Sequence, residues 1–421
     1  MSRRRTGIAG ILNFRLSWAV LTLLAAVSLP GVERQSGSLD PEFTRLPFDE
    51  WAKQGKQTPI HWTVKVFPPE LSAHQRLAVR VEISIDGREL DRRRLGKGHL
   101  TGLVQFEDSA HRLWQSHASL NLEDMRTSVA KSNVTIVHFA FVQPGDYTLS
   151  LAVCDTATLE HNFVTRKLQV APLKADPLPN SWADLPAVEF IHASGDAANI
   201  LYLPSVRSRL NLPVTTKAPL HVQVIVNMTP SERSSGSLTV TRRNLSLLIP
   251  ALKVFSSVRL TEGSMDAVLV DLKERRVAWE QKNIRDLDWR GMRRALTRQE
   301  PGKIDVHALQ DRSMSQQFFF DDIRRRMGKP GVVIILSGPA FFPGQDAVET
   351  GGVPQDPNAR LIYIRDRSVP PLGRGRGNQL AMPADDMERA LRPLYPRIYD
   401  SISAQQFRRI LADVLRQLSQ T

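Results

Sequence analysis

The segment from His221 to Ser231 ends an apolar run in three oxygen-bearing side chains that could bind a ligand. Its first half, Val222 to Val226, has the composition of a buried strand, and Asn227, Thr229 and Ser231 follow at alternate positions. In an open α/β sheet, ligands bind just beyond the carboxyl ends of the strands. We therefore expect these three side chains to converge on a binding site at one edge of a sheet.

No motif of a known enzyme class accompanies this segment. The chain has no Gly-x-Ser-x-Gly nucleophile motif, no His-Glu-x-x-His zinc motif and no Gly-x-x-x-x-Gly-Lys phosphate loop. The adjacent carboxylates Asp321–Asp322 and Asp385–Asp386 cannot face one substrate from a helix, because neighbouring positions diverge by about 100°. We expect them to face solvent or to cap a helix. The sequence therefore favours a protein that is not an enzyme and uses no cofactor.

The single cysteine, Cys154, limits the covalent chemistry of the chain. It excludes a disulfide within the chain and a zinc site built from cysteines. Because it lies in the apolar run from Leu149 to Cys154, we predict a buried side chain that packs as a small hydrophobe.

The chain from Leu220 onward alternates strand patterns with helix patterns. The predicted strands are Val222 to Val226, Asp266 to Leu272, Val277 to Trp279, Val332 to Leu336 and Leu361 to Ile364. The predicted helices are centred on Leu245 to Phe255, Trp289 to Arg298, Ser315 to Met327 and Ala404 to Leu418. This order predicts a doubly wound α/β domain with a mainly parallel sheet and one antiparallel hairpin.

Residues 59–172 show the period of two that is typical of strands with one buried face. The alternating segments are Ile60 to Val66, Leu77 to Ile85, Asn133 to Val142, Asp146 to Val153 and Phe163 to Val170. Asp86–Gly87 is predicted to be a hairpin turn that leads into Arg88 to Leu95. Repeated short strands predict an all-β sandwich. Residues 173–217, rich in proline, are predicted to be an extended connector that packs on one or both domains.

Two stretches of sequence resemble known families. The segment from Pro144 to Val153 resembles the late strand pair of immunoglobulin-like (Ig-like) domains, in which a Tyr, here Tyr147, marks a corner after a Pro-Gly turn. Because paired cysteines are missing, a bacterial Ig-like or fibronectin-like sandwich is closer than the antibody type. Residues 218–421 resemble the von Willebrand factor A (vWA) family, whose fold is Rossmann-like and whose members are adhesion-type modules.

In the vWA family three loops form a metal site. The first loop, Asp-x-Ser-x-Ser, corresponds to Asn227, Thr229 and Ser231. The second normally supplies a Thr, and Pro301 to Asp305 aligns with it so that Lys303 takes the Thr position. The third normally reads Thr-Asp-Gly, and here Gly338, which follows Ser337, takes the place of Asp. The resemblance thus implies a degenerate ligand-binding site formed by Asn227, Thr229, Ser231, Lys303 and Ser337.

The two Asp residues of the family's metal site are replaced here by Asn227 and Gly338, so we expect metal binding to be lost. Mg²⁺ depends on carboxylate ligands and gives up its water reluctantly, and a lysine ammonium would repel it. We therefore predict that no metal ion binds. Lys303 either replaces the cation, donating to the neighbouring oxygens or to an acidic group of a partner, or points to solvent while the polar residues cap a turn.

The N-terminal region and the net charge bear on location and partners. Residues 1–28 are predicted to be a signal peptide, because Arg3 to Arg5 and Arg15 precede an apolar stretch shorter than the roughly 20 residues of a membrane span. Residues 29–58 are predicted to be a flexible tether. Removing the leader, which has four arginines and no acid, would lower the formal charge from +13 to +9. The arginine clusters lie far apart without an aromatic stacking motif, so nucleic acid is not an expected partner.

These features predict an exported, non-catalytic protein in the periplasm or outside the cell. An uncleaved leader would attach it to a membrane. Its predicted role is recognition of a partner protein by the vWA-like domain. The alternative is a scaffold or assembly component of the cell envelope, in which the two domains pack rigidly and leave no free ligand face.

Overall fold

A computed structural model describes residues 32–34, 46–54, 60–93, 98–122, 133–191, 206–228, 238–272, 274–297, 312–328, 330–340, 359–367 and 385–421. These residues form two five-stranded sheets, a two-stranded sheet and a six-stranded sheet, with a smaller number of helices. The chain is therefore a mixed α/β protein built mostly from sheets. Among the helices of these ranges, none has the length and apolar character needed to cross a membrane.

The first part of the chain forms two facing sheets, which we call the sandwich. Its elements are β1 (Val32–Arg34), α1 (Phe48–Gln54), β2 (Trp62–Val66), β3 (Glu70–Leu71), β4 (Leu77–Asp86), α2 (Gly87–Arg93), β5 (His99–Asp108), β6 (Leu113–Asn121), β7 (Asn133–Val142), β8 (Gly145–Asp155), β9 (His161–Val170) and β10 (Val188–Ile191). One sheet has the order β1-β6-β5-β8-β9 and the other β10-β7-β4-β2, with β3 beside β4. The five alternating segments predicted between residues 60 and 170 are strands β2, β4, β7, β8 and β9.

The sequence prediction was wrong after β4 and incomplete before β7. The segment that follows Asp86 is the helix α2, and no hairpin strand forms there. The Asp86 carboxylate accepts a hydrogen bond from the backbone N–H of Arg88 at 2.7 Å, as an N-cap residue does. The buried Leu90 fixes the helix to the core. Strands β5 and β6 were not predicted.

Two pieces of the predicted tether pack on the sandwich. Strand β1 pairs in parallel with β6, and α1 packs on the outer side of the other strands of that sheet. Phe48 and Trp51 of α1 are buried against Cys154 and Phe163. Burial, and then the charge of Asp155, raise the pKa of the Cys154 thiol to about 12. Cys154 is therefore a protonated, buried side chain, as predicted.

The second part of the chain forms an α/β domain. Its elements are β11 (Leu212–Val214), β12 (Leu220–Asn227), α3 (Leu238–Phe255), β13 (Val258–Leu260), β14 (Gly263–Asp271), β15 (Arg276–Gln281), α4 (Trp289–Thr297), α5 (Arg312–Met327), β16 (Gly331–Ser337), β17 (Ala359–Asp366), α6 (Asp386–Leu391), a short 3₁₀ helix (Arg392–Leu394), β18 (Arg397–Ser401) and α7 (Ala404–Gln420). Its main sheet has the order β15-β14-β12-β16-β17-β18, in which β15 is antiparallel and the other strands are parallel.

Helices cover both faces of this sheet. Alternate residues such as Val224, Ile334 and Ile362 pack toward α3 and α7, whereas Ile335 and Tyr363 pack toward α5 and α6. The prediction that β12, β16 and β17 are neighbours is confirmed. So is the hairpin of β14 and β15, and α3 continues through Pro250. All the parallel strands end at the same edge, which we call the carboxyl edge.

The predicted connector packs on both domains. Its strand β10 extends the sandwich by pairing with β7, and β11 pairs with β13 of the α/β domain. Residues 192–205 lie outside the described residues. One continuous set of buried side chains includes Val79 and Phe190 of the sandwich and Leu252 and Leu411 of the α/β domain. The two domains therefore share a core.

A buried arginine joins α7 to the sandwich and the connector. Arg408 is only 2% exposed, and its Nε and Nη2 atoms donate to the Asp176 carboxylate at 2.6 and 2.8 Å. The guanidinium also donates to the Ser181 hydroxyl at 2.7 Å and to the backbone carbonyl of Gln75 at 3.3 Å. It lies 4.8 Å from the ring centre of Trp182. This bidentate pair fixes the relative orientation of the two domains.

Candidate functional site

Two of the five predicted site residues lie side by side at the carboxyl edge. Asn227 ends β12 and Ser337 ends β16, and these strands are parallel neighbours with Val226 opposite Leu336. The Asn227 amide nitrogen donates to the Ser337 hydroxyl at 2.9 Å. The hydroxyl in turn donates to the Gly338 carbonyl at 2.6 Å. Asn227 and Ser337 are 1% and 0% exposed, so they form a buried polar pair.

The other three predicted site residues, Thr229, Ser231 and Lys303, lie outside the described residues. The two readings of Lys303 therefore both stay predictions. The ends of two neighbouring strands bring Asn227 and Ser337 into contact, as the sequence predicted.

A polar network that the sequence did not predict adjoins this pair. Its centre is Asp385, which precedes α6 and is 5% exposed. One carboxylate oxygen accepts from the backbone N–H groups of Ala340 at 3.0 Å and Met387 at 3.2 Å. The other accepts from the Tyr363 hydroxyl at 2.8 Å and from Arg365 Nη1 at 3.0 Å. The sequence predicted that Asp385 either faces solvent or caps a helix. It caps α6 and is buried.

The network shifts the titration of its members through burial and hydrogen bonding. Burial raises the pKa of Asp385 above its ordinary value, although the hydrogen bonds from Ala340, Tyr363 and Arg365 and the charge of Arg365 act in the opposite direction. Burial, followed by the charge of Asp385, raises the pKa of Tyr363 well above its usual range, while a hydrogen bond with Ser337 lowers it. Ser337 therefore links the predicted pair to the network.

Arg365 connects the network to the surface. Its guanidinium also donates to Glu388 at 2.8 Å and to Asp400 at 2.6 Å. Burial by itself would lower the pKa of Arg365, but the hydrogen bonds to Asp400, Glu388 and Asp385 raise it. Tyr363 and Arg365 stand two positions apart near the end of a strand, so they share one face. This spacing of two is the only signal in the sequence that places Tyr363 and Arg365 together, and it does not identify Asp385 as their partner.

Asn227, Ser337 and Asp385 use their polar atoms in bonds to other protein groups. Asn227 and Ser337 are neutral, and they already satisfy each other. All four accepting positions of the Asp385 carboxylate have protein donors. Across the ranges that the structure describes, no group of three or more His, Cys, Asp or Glu side chains has the arrangement of a metal site. Asn227, Ser337 and Asp385 therefore act through hydrogen bonds and charge, and the Asp385 carboxylate has no free position for Mg²⁺.

A cavity of about 260 Å³ lies on the other face of the sheet, between the carboxyl edge and the sandwich. Three polar residues line it: Asp366, Ser401 and Ser403. The rest of the lining is apolar and consists of Leu71, Ala73, Leu248, Ala251, Leu336, Ile364, Ala404 and Phe407. Its volume falls below the roughly 300–1,000 Å³ of ordinary small-molecule sites. We therefore regard the carboxyl edge as the better candidate site.

Ile402 is an exposed large apolar side chain in the described part of the surface beside this edge. Ile402 directly follows β18 and is 62% exposed. Asp400 and Arg367 lie close by and form an ion pair at 3.1 Å. Single exposed apolar side chains are common on protein surfaces, and Ile402 gives this edge an accessible position for mutation. Comparison of the sequence with protein-family models and with curated proteins finds no match.

Proposed function

We propose that this chain is an exported, non-catalytic protein that recognises a partner protein through the carboxyl edge of a vWA-related domain. The observation that carries the proposal is the buried pair of Asn227 and Ser337 at the ends of adjacent parallel strands. Asn227 stands where the resembled family has the Asp of its first loop, Ser337 precedes Gly338, which stands where the family has the Asp of its third loop, and here the side chains of Asn227 and Ser337 bind each other. The sheet order β15-β14-β12-β16-β17-β18, with β15 antiparallel, supports the Rossmann-like part of the proposal.

We propose further that the sandwich is Ig-like. Along the chain, successive groups of strands alternate between its two sheets. Strands β2, β4 and β7 lie in one sheet, and β5, β6, β8 and β9 lie in the other. The Tyr147 hydroxyl, near the start of β8, donates to the Gln143 carbonyl at 3.0 Å. A tyrosine that hydrogen-bonds to backbone a few residues upstream is a hallmark of this fold.

The partner-binding role can be tested with a pair of exposed apolar residues. We expect Ile402→Asp to weaken partner binding at least about tenfold, because a charge replaces an apolar contact at the proposed interface. Leu159→Asp is the matched control, since Leu159 is 56% exposed but lies on the sandwich. The partner is first captured with the processed protein, and binding of the purified partner is then measured for each variant. Equal affinities for wild type and Ile402→Asp would contradict recognition at this edge.

The absence of a metal site is a second expectation of the proposal. Calorimetry with Mg²⁺ or Mn²⁺ is expected to give no specific heat of binding with the unaltered chain, because neither family carboxylate is present. The triple variant Asn227→Asp, Gly338→Asp, Lys303→Thr restores the family residues and is expected to gain measurable affinity. Tight binding of Mg²⁺ by the unaltered chain refutes the degenerate-site proposal. No gain in the triple variant would contradict the loop correspondence.

Export is proposed from the leader alone. Residues 1–28 lie outside the described residues, so the proposal rests on their charge and apolar pattern. N-terminal sequencing of the protein from cell fractions tests it, and a cytoplasmic product that keeps Met1 contradicts it.

The alternative, an envelope scaffold, is favoured by the shared core and by Arg408, which make the two domains one packed unit. It predicts that Leu159→Asp and Ile402→Asp affect binding alike, because no single edge would be the ligand face. The same binding experiment therefore separates the two functions.

A further inference from the structure

The cavity of about 260 Å³ is lined by residues of both domains. The sandwich contributes Leu71 of β3 and Ala73, which follows this strand, and the α/β domain contributes the rest of the lining. Leu336, Asp366 and Ser401 stand at or next to the last positions of β16, β17 and β18. The cavity therefore lies at the carboxyl ends of parallel strands, where open α/β sheets bind their ligands.

The inner part of the lining is apolar. Leu248 of α3, Leu336 of β16, Ile364 of β17 and Phe407 of α7 are all buried. A dry cavity of about 150 Å³ lined by such side chains is large enough to bind benzene. The larger volume of the present cavity leaves room for an aromatic ring and a short chain attached to it.

The polar part of the lining is partly open to solvent. Asp366 and Ser401 lie opposite each other on the neighbouring strands β17 and β18, and Ser403 follows two positions later. Asp366 and Ser403 are half-buried, as are the lining residues Ala73 and Ala404, whereas Ser401 is buried. An apolar molecule can therefore enter at the half-buried residues and leave a polar head group beside Asp366 and Ser403.

Hydrogen-bond acceptors predominate at this polar end. The Asp366 carboxylate only accepts, and a serine hydroxyl can accept as well as donate. A buried acceptor lies close by in Gln75, which is 0% exposed. Its Nε2 donates to the carbonyl of the lining residue Ala404 at 3.2 Å, and its Oε1 has no hydrogen-bond partner among the described residues. The surroundings therefore favour a ligand head group that donates hydrogen bonds and disfavour an anionic one.

We propose that this cavity binds a small apolar molecule with a single hydrogen-bond-donating head group, a hydroxyl or an ammonium. Its body packs against Leu248, Leu336 and Phe407, and its head group lies beside Asp366 and Ser403. Because the sandwich supplies part of the lining, the bound molecule contacts both domains and stabilises their junction. The site is separate from the buried polar pair of the carboxyl edge and does not depend on the proposed function.

The first test is isothermal titration of the full chain with three compounds that share one apolar body. 2-Phenylethanol and 2-phenylethylamine carry donating head groups, and phenylacetate carries an anionic one. At least one of the two donors is expected to give a saturable heat, and the tighter of the two shows whether a neutral or a charged head is preferred. Phenylacetate is expected to bind at least about tenfold more weakly, because the Asp366 carboxylate repels it.

Two substitutions place the binding in this cavity. Ala251, on α3, lines the cavity, so Ala251→Leu fills part of it and should abolish the saturable heat. This variant should melt no lower than wild type, because the added side chain occupies empty space. Ala171→Leu, at an exposed position after β9, is the matched control and should bind like wild type. Asp366→Asn should raise the affinity for phenylacetate, because the repelling charge is gone.

Melting of the full chain gives a second measurement. A ligand of the native state raises the melting midpoint as its concentration increases, and Ala251→Leu should lose this rise. The proposal is overturned if neither donor gives a saturable heat, or if phenylacetate binds as tightly as the better donor. It is also overturned if folded Ala251→Leu binds like wild type. Should Ala251→Leu fail to fold, an unchanged affinity of Asp366→Asn for phenylacetate overturns it.

Discussion

Replacing Ile334 with aspartate is expected to unfold the α/β domain. Ile334 is 0% exposed in the central strand β16, where Val224 and Ile362 lie opposite it on the neighbouring strands. An unpaired carboxylate at this position costs several kcal/mol even after relaxation. Small domains are stable by only about 5–15 kcal/mol, so this one substitution removes most of the stability. Circular dichroism during thermal and urea unfolding measures the loss.

The control for this substitution is Ile334→Val, which keeps an apolar side chain and should cost only about 0.5–1.5 kcal/mol. Because the buried core is continuous across both domains, the sandwich is expected to lose stability together with the α/β domain. If Ile334→Asp unfolds cooperatively at an unchanged midpoint, the central position of β16 is wrong.

Replacing Arg408 with methionine is expected to lower the free energy of unfolding by about 3–5 kcal/mol. The substitution leaves the carboxylate of Asp176 without its bidentate partner. That carboxylate depends on the pair: burial alone would raise the pKa of Asp176, but the hydrogen bonds from Arg408 and from the backbone of Leu178 lower it. The carbonyl of Gln75 and the hydroxyl of Ser181 also lose a donor. Urea unfolding of the full chain gives the change directly.

The adjacent Arg409 supplies the control for Arg408. It lies on the same helix but is exposed, so Arg409→Met should change the free energy of unfolding by less than about 0.5 kcal/mol. The double variant Arg408→Met, Asp176→Leu should be more stable than Arg408→Met alone, because it removes the unpaired charge. Similar losses for Arg408→Met and Arg409→Met would mean that the junction is not held by this ion pair.

The sequence by itself identified three neighbouring strands and the hairpin of the α/β sheet, but not the edge strand β18. Strands β12, β16 and β17 are short apolar runs buried on both faces, and local composition is enough to identify them. The same reasoning failed for β5, where residues 100–106 are all buried. One face of β5 packs on the core and α1 covers Leu103 on the other, so the period of two disappears. A glycine, Gly102, and the polar Gln105 within the strand weakened its apolar signal as well.

For the candidate site, the sequence determined where Asn227 and Ser337 would meet, because both follow strands that end at one edge. The partners of Arg365 and Arg408 were decided only by tertiary structure. Asp385 reaches Arg365 across 20 positions, and Asp176 reaches Arg408 across 232. The period of side chains along a helix or strand is local, so a sequence reveals which face is buried. A buried charge, however, chooses its counter-charge by position in space, and that depends on how distant elements pack.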